Sequence, residues 1–326
     1  MAEETGPETG RPETGRPETG SPDAADSKAA PRCGFVALVG APNAGKSTLL
    51  NALVGAKVSI VTHKVQTTRS RIRAIAAEGA SQIVFVDTPG IFAPKRRLER
   101  AMVSAAWTGA KDADDVVLLY DAARRGIDPD TRLIVDGLKA RGRQAVLALN
   151  KIDLVPRDSL LDIATRFEAE GVFSKVFMVS ATTGDGVADL RRHLAAGLPE
   201  GPWLYPADQL SDLPERLLAA EVTREKLFLN LHQELPYALT VETEDWKDFK
   251  DGSARIEQVI TVGRASHKGI CLGKGGRTIK LVREAAQRDL EEFLGRKVHL
   301  FLFVKVRENW LEDPARYRAM GLEFDV

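Results

Sequence analysis

A glycine-rich stretch near the start of the chain has the residue types and spacing of a phosphate-binding loop. Residues 40–47 read Gly-Ala-Pro-Asn-Ala-Gly-Lys-Ser, which fits the pattern G-x-x-x-x-G-K-[ST]. The apolar run Phe35–Val39 predicts a strand before it, and residues 47–54 predict a helix after it. In that setting, backbone N–H groups and the helix N-terminus face anionic phosphates, Lys46 reaches the β- and γ-phosphates, and the Ser47 hydroxyl binds Mg²⁺. The nucleotide contacts predicted here are Gly40, Ala41, Pro42, Asn43, Ala44, Gly45, Lys46, Ser47 and Thr48.

A second motif, Asn150-Lys151-Ile152-Asp153, indicates that the base is guanine. An ionised Asp153 carboxylate only accepts hydrogen bonds. It can take two from the N1–H and exocyclic amine of guanine, a donor pair that adenine lacks on that edge. Because an unpaired buried polar group is costly, such a site discriminates strongly between bases. Backbone groups of Ser180-Ala181, at the end of another predicted strand, are candidates to support the base.

The segment Asp87-Thr88-Pro89-Gly90 ends a predicted strand and resembles a γ-phosphate sensor. We expect Asp87 to hold Mg²⁺ through a water and the Gly90 amide to contact the γ-phosphate. The next residue is Ile91, and an isoleucine cannot orient an attacking water. We therefore predict slow hydrolysis, assign no catalytic residue and expect water to be placed by other means. Asn43 is a candidate ligand for a monovalent cation, K⁺, with local turn formation as its alternative role.

The polar segment Gln66-Thr67-Thr68-Arg69-Ser70 is a second candidate switch. One threonine hydroxyl there could complete the Mg²⁺ shell, and Thr68 is preferred to Thr67. We expect GTP and Mg²⁺ to order residues 66–70 and 87–92, and loss of the γ-phosphate to release both segments. Without the other motifs, this stretch would be interpreted as a solvated loop.

Together the motifs G-x-P-N-x-G-K-S, Q-T-T-R, D-T-P-G-I and N-K-I-D resemble those of the Era family of bacterial GTPases. The motifs stand in the family's order, and the resemblance covers all but the first ~32 residues. In that family an apolar residue follows D-T-P-G, as Ile91 does here. The resemblance implies a switch GTPase with a P-loop domain of α/β class and a mixed, mostly parallel sheet.

Composition limits the fold class and the cellular compartment. A chain of 326 residues with 44% hydrophobic content supports about two domains with real cores. No run approaches the ~20 apolar residues that a membrane helix needs. Cys33 and Cys271 lie far apart, which argues against a disulfide framework and suits a reducing, cytoplasmic environment. Neither they nor the five histidines show metal-ligand spacing.

The chain divides into four predicted segments. Residues 1–31 contain a Pro-Glu-Thr-Gly-Arg repeat with almost no apolar side chains, which predicts a disordered tail rather than a signal peptide. Strands and helices alternate over residues 32–198, which is typical of a sheet covered by helices on both faces. Proline is dense from Leu198, which predicts a linker at 199–213 before a second domain at 214–326.

Hydrophobic patterns place the elements of both domains. The first six predicted strands are Phe35–Val39, Arg71–Ala77, Ile83–Val86, Val116–Tyr120, Ala145–Asn150 and Val176–Ser180. The short turn at 78–80 should make the second and third strands antiparallel. The predicted elements of the second domain are helices Glu215–Gln233, Ser266–Leu272 and Arg277–Leu294 and strands Ala238–Glu244, Ala254–Val262 and Val298–Val306.

A G-x-x-G loop, Gly273-Lys274-Gly275-Gly276, separates two predicted helices of the second domain. KH domains clamp a nucleic-acid backbone with such a loop. The whole chain is neutral, with 46 basic and 46 acidic residues. Within residues 264–283, however, there are arginines and lysines but no Asp or Glu. A flexible turn and a solvated charged face are the alternative interpretations. The RNA contacts predicted here are Arg264, Lys268, Gly273, Lys274, Gly275, Gly276, Arg277, Lys280 and Arg283.

The order helix–strand–strand–helix–helix–strand is that of a type II KH domain, of α+β class, and residues 234–237 and 268–276 resemble the C-terminal domain of the Era family. The resemblance implies a GTP- and GDP-binding protein that binds 16S rRNA near its 3′ end and acts in assembly of the small (30S) ribosomal subunit. It also implies peripheral association with the inner membrane, and we expect a monomer. Two alternatives stay open: a P-loop kinase or ATPase, against which Asn150–Asp153 argues, and an RNA-binding scaffold whose nucleotide site does not turn over.

Overall fold

The computed structural model describes Met1 and residues 30–62, 64, 67–69, 71–231 and 235–326. Most of the predicted tail lies outside the described residues, as do Gln66, Ser70 and Gln233. Among the described residues, no helix is long and apolar enough to cross a membrane.

The first part of the chain folds into a six-stranded sheet with helices on both faces. Its strands are β1 (Arg32–Gly40), β2 (Ile72–Glu78), β3 (Ser81–Asp87), β4 (Asp115–Asp121), β5 (Ala145–Asn150) and β6 (Phe173–Met178). Its helices are α1 (Lys46–Val54), α2 (Arg97–Asp112), α3 (Pro129–Ala140), α4 (Arg157–Glu168) and α5 (Val187–Gly197). The strand order is β2-β3-β1-β4-β5-β6. Every pair is parallel except β2 and β3, which confirms the predicted hairpin and the mixed, mostly parallel sheet.

Alternating side chains of the central strands build two cores. In β1, Val36 and Leu38 belong to one buried cluster, with leucines of α1 and α5. Ala37 and Val39 belong to the other, with residues of α2, α3 and α4. Because these strands are parallel, the carboxyl ends of β1, β3, β4 and β5 meet at one edge of the sheet, where ligands bind in open α/β folds.

The predicted strand Val176–Ser180 is wrong at both ends, since β6 starts earlier and stops at Met178. Its end is set by a turn: the Ser180 N–H donates to the Asp185 carbonyl at 2.9 Å, and the Gly184 N–H donates to the Ser180 carbonyl at 2.8 Å. These bonds use the backbone groups of Ser180 that a strand would offer to its neighbour.

The second part of the chain combines a three-stranded sheet with helices. Its elements are α6 (Glu215–Asn230), β7 (Leu239–Asp248), β8 (Ala254–Val262), α7 (Ala265–Leu272), α8 (Arg277–Leu294), β9 (Val298–Val306) and α9 (Pro314–Ala319). The order is β7-β8-β9, with β7 antiparallel and β9 parallel to β8. The predicted bounds of β8, α8 and β9 are confirmed, and the short helix before the loop starts one residue earlier, at Ala265.

Two differences concern the ends of elements in this sheet domain. The predicted strand Ala238–Glu244 is too short, because β7 continues to Asp248, which pairs with Ala254 of β8 across a tight hairpin. Most residues after Thr243 are charged, so a search for alternating apolar residues does not detect the second half of this strand. Helix α9 was not predicted, although Asp313 caps it by accepting a hydrogen bond from the Ala315 N–H at 3.0 Å, a recognisable start signal.

The segment between the two parts lies along the open edge of the first sheet. The Ile75 N–H of β2 donates to the Leu210 carbonyl at 2.9 Å, and the Trp203 ring N–H donates to the Ala80 carbonyl at 3.0 Å. The Gln82 carboxamide oxygen accepts from the Leu204 N–H at 2.9 Å. This segment therefore covers an edge strand that would otherwise expose backbone groups.

The end of the chain packs on the first sheet domain. Leu98 and Met102 of α2 form a buried cluster with Tyr317 and Leu322. Arg97, also on α2, places its guanidinium 4.3 Å from the centre of the Phe324 ring. Helix α2 is thus held from the far end of the sequence.

Candidate nucleotide site and RNA interface

The phosphate loop between β1 and α1 folds around Lys46. Its Nζ donates to the carbonyls of Gly40 at 3.0 Å and Ala41 at 3.1 Å, so the ammonium lies inside the loop. Burial lowers the pKa of Lys46 to about 8, and the Asp87 carboxylate opposes that effect. Gly45 has φ of 97°, and a Cβ there would clash with a neighbouring side-chain amide, so only glycine fits. The loop borders a cavity of about 630 Å³.

The three predicted Mg²⁺ ligands meet at the mouth of this loop. The Ser47 hydroxyl donates to Asp87 Oδ2 at 2.9 Å and lies 3.0 Å from the Thr68 hydroxyl. Asp87 is fully buried, and its Oδ1 has no hydrogen-bond partner among the described residues. Burial raises the pKa of Asp87, while the Lys46 ammonium and the hydroxyl donors oppose that rise. Since carboxylate and hydroxyl oxygens suit a hard cation, these residues fit Mg²⁺.

The residues of the Asn150–Asp153 motif have different positions: Asn150 makes structural hydrogen bonds, whereas Asp153 borders the cavity. Asn150 is buried, donating to the Ala44 carbonyl at 2.9 Å and accepting from the Ala181 N–H at 3.1 Å. It therefore joins the phosphate loop to the loop after β6. Asp153 is exposed on a short 3₁₀ helix and borders the cavity together with Lys151. Of the motif, Asp153 is the carboxylate available to a base.

Part of the Asp87–Gly90 segment faces away from the cavity. The Thr88 hydroxyl is buried and donates to the Leu38 carbonyl at 2.7 Å. Pro89 is also buried, and the Ile91 side chain lies in the core. Gly90 borders the cavity, where a Cβ would approach the Pro42 backbone to 3.2 Å.

The loop after β6 reaches the same cavity. Ser180 is fully buried, and its hydroxyl accepts from the Thr183 N–H at 3.1 Å, so its side chain supports the turn. Ala181 is partly exposed, and the following Thr182 borders the cavity. Both backbone groups of Ser180 and the Ala181 N–H make hydrogen bonds within the protein, so the support of the base by backbone groups here stays a prediction.

Three residues of the site were not found from the sequence. The Ser59 hydroxyl donates to Asp87 Oδ2 at 2.9 Å. Asp121, at the end of β4, accepts from Lys151 Nζ at 2.6 Å, and Arg124 donates to the Pro42 carbonyl at 2.6 Å. Asp121 directly follows the predicted strand Val116–Tyr120 at the same sheet edge as the other motifs, which was a usable signal. Ser59 and Arg124 carry no such signal.

The segment around Thr68 connects the nucleotide cavity with the second sheet domain. Arg69 is buried, and its guanidinium donates to the carbonyls of Leu239 at 2.7 Å, Pro236 at 3.1 Å and Tyr237 at 3.2 Å. Burial, together with a second arginine, lowers the pKa of Arg69 to about 9. The Thr67 carbonyl accepts from that second arginine, Arg224 of α6.

The G-x-x-G loop joins α7 to α8 in a strained, glycine-dependent shape. Gly273, Gly275 and Gly276 have φ of 71°, 62° and 76°, a region that favours glycine. A Cβ at Gly273 would clash with Thr278, whereas positions 275 and 276 are open to solvent. The loop ends at the N-terminus of α8, a favourable position for a phosphate.

Most of the predicted basic contacts around this loop are exposed. Lys280 and Arg283 lie 4.0 Å and 3.5 Å from Glu284, so their charge is partly compensated. The others show no ion pair among the described residues. They are Arg264, Lys268, Lys274 and Arg277. Ile270 of α7 is 54% exposed beside them, an apolar surface that unstacked bases could contact.

Comparison with known proteins matches both parts of the chain. A family model described as a 50S ribosome-binding GTPase matches residues 35–151, and a KH domain model matches residues 234–311. The chain is 62% identical to GTPase Era of Dinoroseobacter shibae over 92% of this chain and 98% of that protein. It is also 62% identical to GTPase Era of Rhizobium meliloti over 90% of this chain and 93% of that protein.

Solved structures agree with this assignment. The fold superposes with a TM-score of 0.84 on a crystal structure of Era in complex with MgGDPNP and nucleotides 1506–1542 of 16S ribosomal RNA. That match is 36% identical and covers 89% of this chain and 99% of the other. A structure of an Aquifex aeolicus Era variant bound to GDP and AlF₄⁻ superposes with a TM-score of 0.83. The predicted fold class, a P-loop GTPase domain followed by a KH domain, is confirmed, and the chain belongs to the Era family of GTPases.

Proposed function

We propose that this chain is a slow GTPase switch that binds 16S rRNA near its 3′ end through its KH domain, during assembly of the small ribosomal subunit. Membership of the Era family makes it a GTPase. The solved relative that holds MgGDPNP and 16S rRNA nucleotides supports the ligands of the proposal. The observation that carries the switch is the contact of Arg69 with the KH domain, one residue from the Mg²⁺ ligand Thr68.

The nucleotide part of the proposal assigns roles to residues around the cavity. Ser47 and Thr68 would ligate Mg²⁺ directly and Asp87 through a water. The ion would neutralise phosphate charge, and Lys46 would turn from its loop carbonyls toward the β- and γ-phosphates. Asp153 would accept hydrogen bonds from guanine.

Hydrolysis is proposed to depend on charge stabilisation rather than on a side chain after Gly90. Ile91 is in the core and its N–H donates to the Gly40 carbonyl at 3.2 Å, so it cannot reach a water at the γ-phosphate. Asn43, at φ of 63° in the phosphate loop, is the candidate ligand for K⁺. GTP turnover measured with Mg²⁺ in K⁺ and in Na⁺ tests this assignment, and equal rates in both salts would remove it.

Coupling between the domains is proposed to run through residues 67–69. The Thr68 hydroxyl lies 3.0 Å from the Ser47 hydroxyl and 3.4 Å from Asp87 Oδ2, the other proposed Mg²⁺ ligands, and the next residue, Arg69, is bonded to the KH domain. If loss of the γ-phosphate frees Thr68, the backbone of Arg69 moves with it, because adjacent residues share a peptide plane. The KH domain would then shift relative to the nucleotide domain. In this switch, disorder of a segment at the nucleotide site changes the arrangement of the domains.

RNA binding is assigned to the Gly273–Gly276 loop and its basic neighbours. The open glycines allow phosphates to approach the backbone, while Lys274 and the α8 N-terminus supply positive charge. Labelled 16S rRNA 3′ RNA and a scrambled RNA of equal length, compared at one salt concentration, test this part. Equal affinity for both would reduce the proposal to non-specific binding.

We further propose that the protein acts as a monomer in the cytoplasm and associates peripherally with the inner face of the cell membrane, as the family resemblance implies. Light scattering and co-sedimentation with anionic vesicles measure the two properties independently. A stable dimer, or recovery of all protein in the supernatant at low salt, would contradict the respective statement.

A further inference from the structure

A cavity of about 790 Å³ opens between the start of α2 and the KH domain, away from the nucleotide site. Arg96, just before α2, borders it on one side, and Arg264 and His267 border it on the other. The nearly buried Trp310 forms part of its lining. The cavity therefore brings together basic side chains from both domains.

The charges of this cavity are not balanced within the described part of the chain. The side chains of Arg96 and Arg264 are exposed and make no ion pair there, and the Nδ1 atom of His267 is buried without a hydrogen-bond partner. Of the two acidic residues in the lining, Glu312 already pairs with an α2 arginine at 3.4 Å. Glu308 is the remaining carboxylate. When Glu312 is counted with its partner Arg97, the charges of Arg96 and Arg264 exceed that of Glu308 by one, which suits an anion.

The backbone around Arg96 is held in place, so the point from which its side chain extends is fixed before any ligand binds. Glu99 accepts hydrogen bonds from the N–H groups of Lys95 at 2.7 Å and Arg96 at 3.1 Å, which caps α2. The next residue, Arg97, is fixed against the C-terminal segment by its contact with the Phe324 ring. Two basic side chains, Lys95 and Arg96, therefore project from a rigid helix start.

The cavity is continuous with the proposed RNA surface. Arg264 precedes α7, and the eight residues of α7 lead to the G-x-x-G loop. At ~1.5 Å per helical residue, the loop begins about 12 Å along α7 from Arg264. Lys268 stands on the same short helix and is also exposed. An RNA strand held at the loop would need only a short extension to reach Arg96.

We infer that this cavity binds backbone phosphates of the RNA strand where it leaves the KH loop, so that one RNA contacts both domains. The inference rests on the proposed RNA binding of the KH domain and adds a contact from the nucleotide domain. Charge complementarity and continuity with the basic loop favour RNA over an acidic protein segment. Arg96 is the decisive residue, because it lies on the nucleotide domain and outside the KH surface.

The test uses the full chain with Mg²⁺ and a GTP analogue. The probes are an RNA matching nucleotides 1506–1542 of 16S rRNA and versions shortened stepwise from each end, down to the shortest RNA that still binds. The Arg96→Ala variant is compared with Arg157→Ala, an exposed arginine on α4 without an ion pair in the described chain. Glu308→Gln removes the opposing charge. Thermal melting and nucleotide binding check that each variant is folded.

We expect Arg96→Ala to weaken binding of the long RNA about threefold to tenfold and to reduce the salt slope by about 0.7, the value for one contact to a single strand. Glu308→Gln should strengthen it about twofold, and Arg157→Ala should have no effect. The effect of Arg96→Ala should vanish for the shortest RNA.

An unchanged affinity of Arg96→Ala for the long RNA would overturn the inference, as would an equal loss for long and short RNAs. Wild-type protein that binds the short RNA tightly would keep the KH proposal in either case. Failure of the wild type to bind any of these RNAs would instead overturn RNA binding itself, so the two failures are distinguishable.

Discussion

Replacing Arg69 by methionine removes three of the hydrogen bonds that join the switch segment to the KH domain and leaves the bond between Arg224 and the Thr67 carbonyl. Methionine is unbranched and apolar, so it replaces the aliphatic part of the arginine side chain and removes the guanidinium. The three acceptors are the carbonyls of Pro236, Tyr237 and Leu239. Because Arg69 does not border the nucleotide cavity, GTP binding should survive.

The size of the effect follows from the number and kind of bonds. Hydrogen bonds from a charged group contribute about 1.5–3 kcal/mol each, and removal of one buried partner leaves the others unsatisfied. Relief of the desolvation of Arg69 offsets part of this loss. We expect the free energy of docking between the nucleotide domain and the KH domain to become less favourable by about 2–4 kcal/mol. A coupling of ~3 kcal/mol corresponds to about a 150-fold change in an equilibrium, enough to remove most of the switch.

The assay combines chemical denaturation with RNA binding in two nucleotide states. Arg71→Met is the matched control, since Arg71 is exposed and two residues away. We expect Arg69→Met to unfold at lower denaturant concentration and to bind RNA with the same affinity in the presence of GTP analogue and GDP. Arg71→Met should keep the wild-type free energy of unfolding within about 0.5 kcal/mol, and its RNA affinity should still depend on the nucleotide. Normal nucleotide dependence in a folded Arg69→Met protein would refute the reasoning.

Four further predictions test the two sites and the fold. Lys46→Ala should abolish nucleotide retention, and intact GTP binding would remove the phosphate-loop assignment. Asp153→Asn should weaken GTP binding by about 10- to 100-fold, from the loss of charge-assisted hydrogen bonds; unchanged affinity in calorimetry would show that another group reads the base. Gly275→Asp should impair RNA binding and spare GTP hydrolysis, whereas Gly252→Asp, at a turn with φ of 83°, should leave RNA affinity unchanged; equal losses would indicate a general charge effect. Two basic partners on α3 lower the pKa of Glu170 to about 2. Glu170→Gln should therefore cost about 1 kcal/mol at neutral pH, and the difference from wild type should shrink as pH falls from about 4.5 toward 2; a difference independent of pH in urea titrations would contradict it.

Local patterns carried most of what the sequence could predict. The residues of the phosphate loop, Asp87 and Asp153 follow buried strands, and parallel strands bring their carboxyl ends to one edge. The strand and helix bounds around the G-x-x-G loop could be predicted because apolar periodicity and glycines mark them clearly. These features depend on neighbours in sequence, so one chain is enough to find them.

Contacts between distant residues could not be predicted. Arg69 bonds to a carbonyl 170 residues away, and no pattern in a polar loop marks which arginine will be buried. The cluster of Tyr317 with α2 likewise joins the end of the chain to a helix of the first domain. Asn150, a predicted nucleotide-site residue, also joins two loops through its hydrogen bonds to the Ala44 carbonyl and the Ala181 N–H, which the motif alone does not reveal. Side-chain direction of this kind is set by tertiary packing.

The central proposal is that the bound nucleotide controls RNA binding, and one measurement tests this coupling most directly. A labelled RNA matching nucleotides 1506–1542 of 16S rRNA is titrated with the wild-type chain at one salt concentration, in the presence of GTP analogue, GDP or no nucleotide. We predict sequence-selective binding that is tightest with the GTP analogue and Mg²⁺. Selective binding with the same affinity in all three states would contradict the switch.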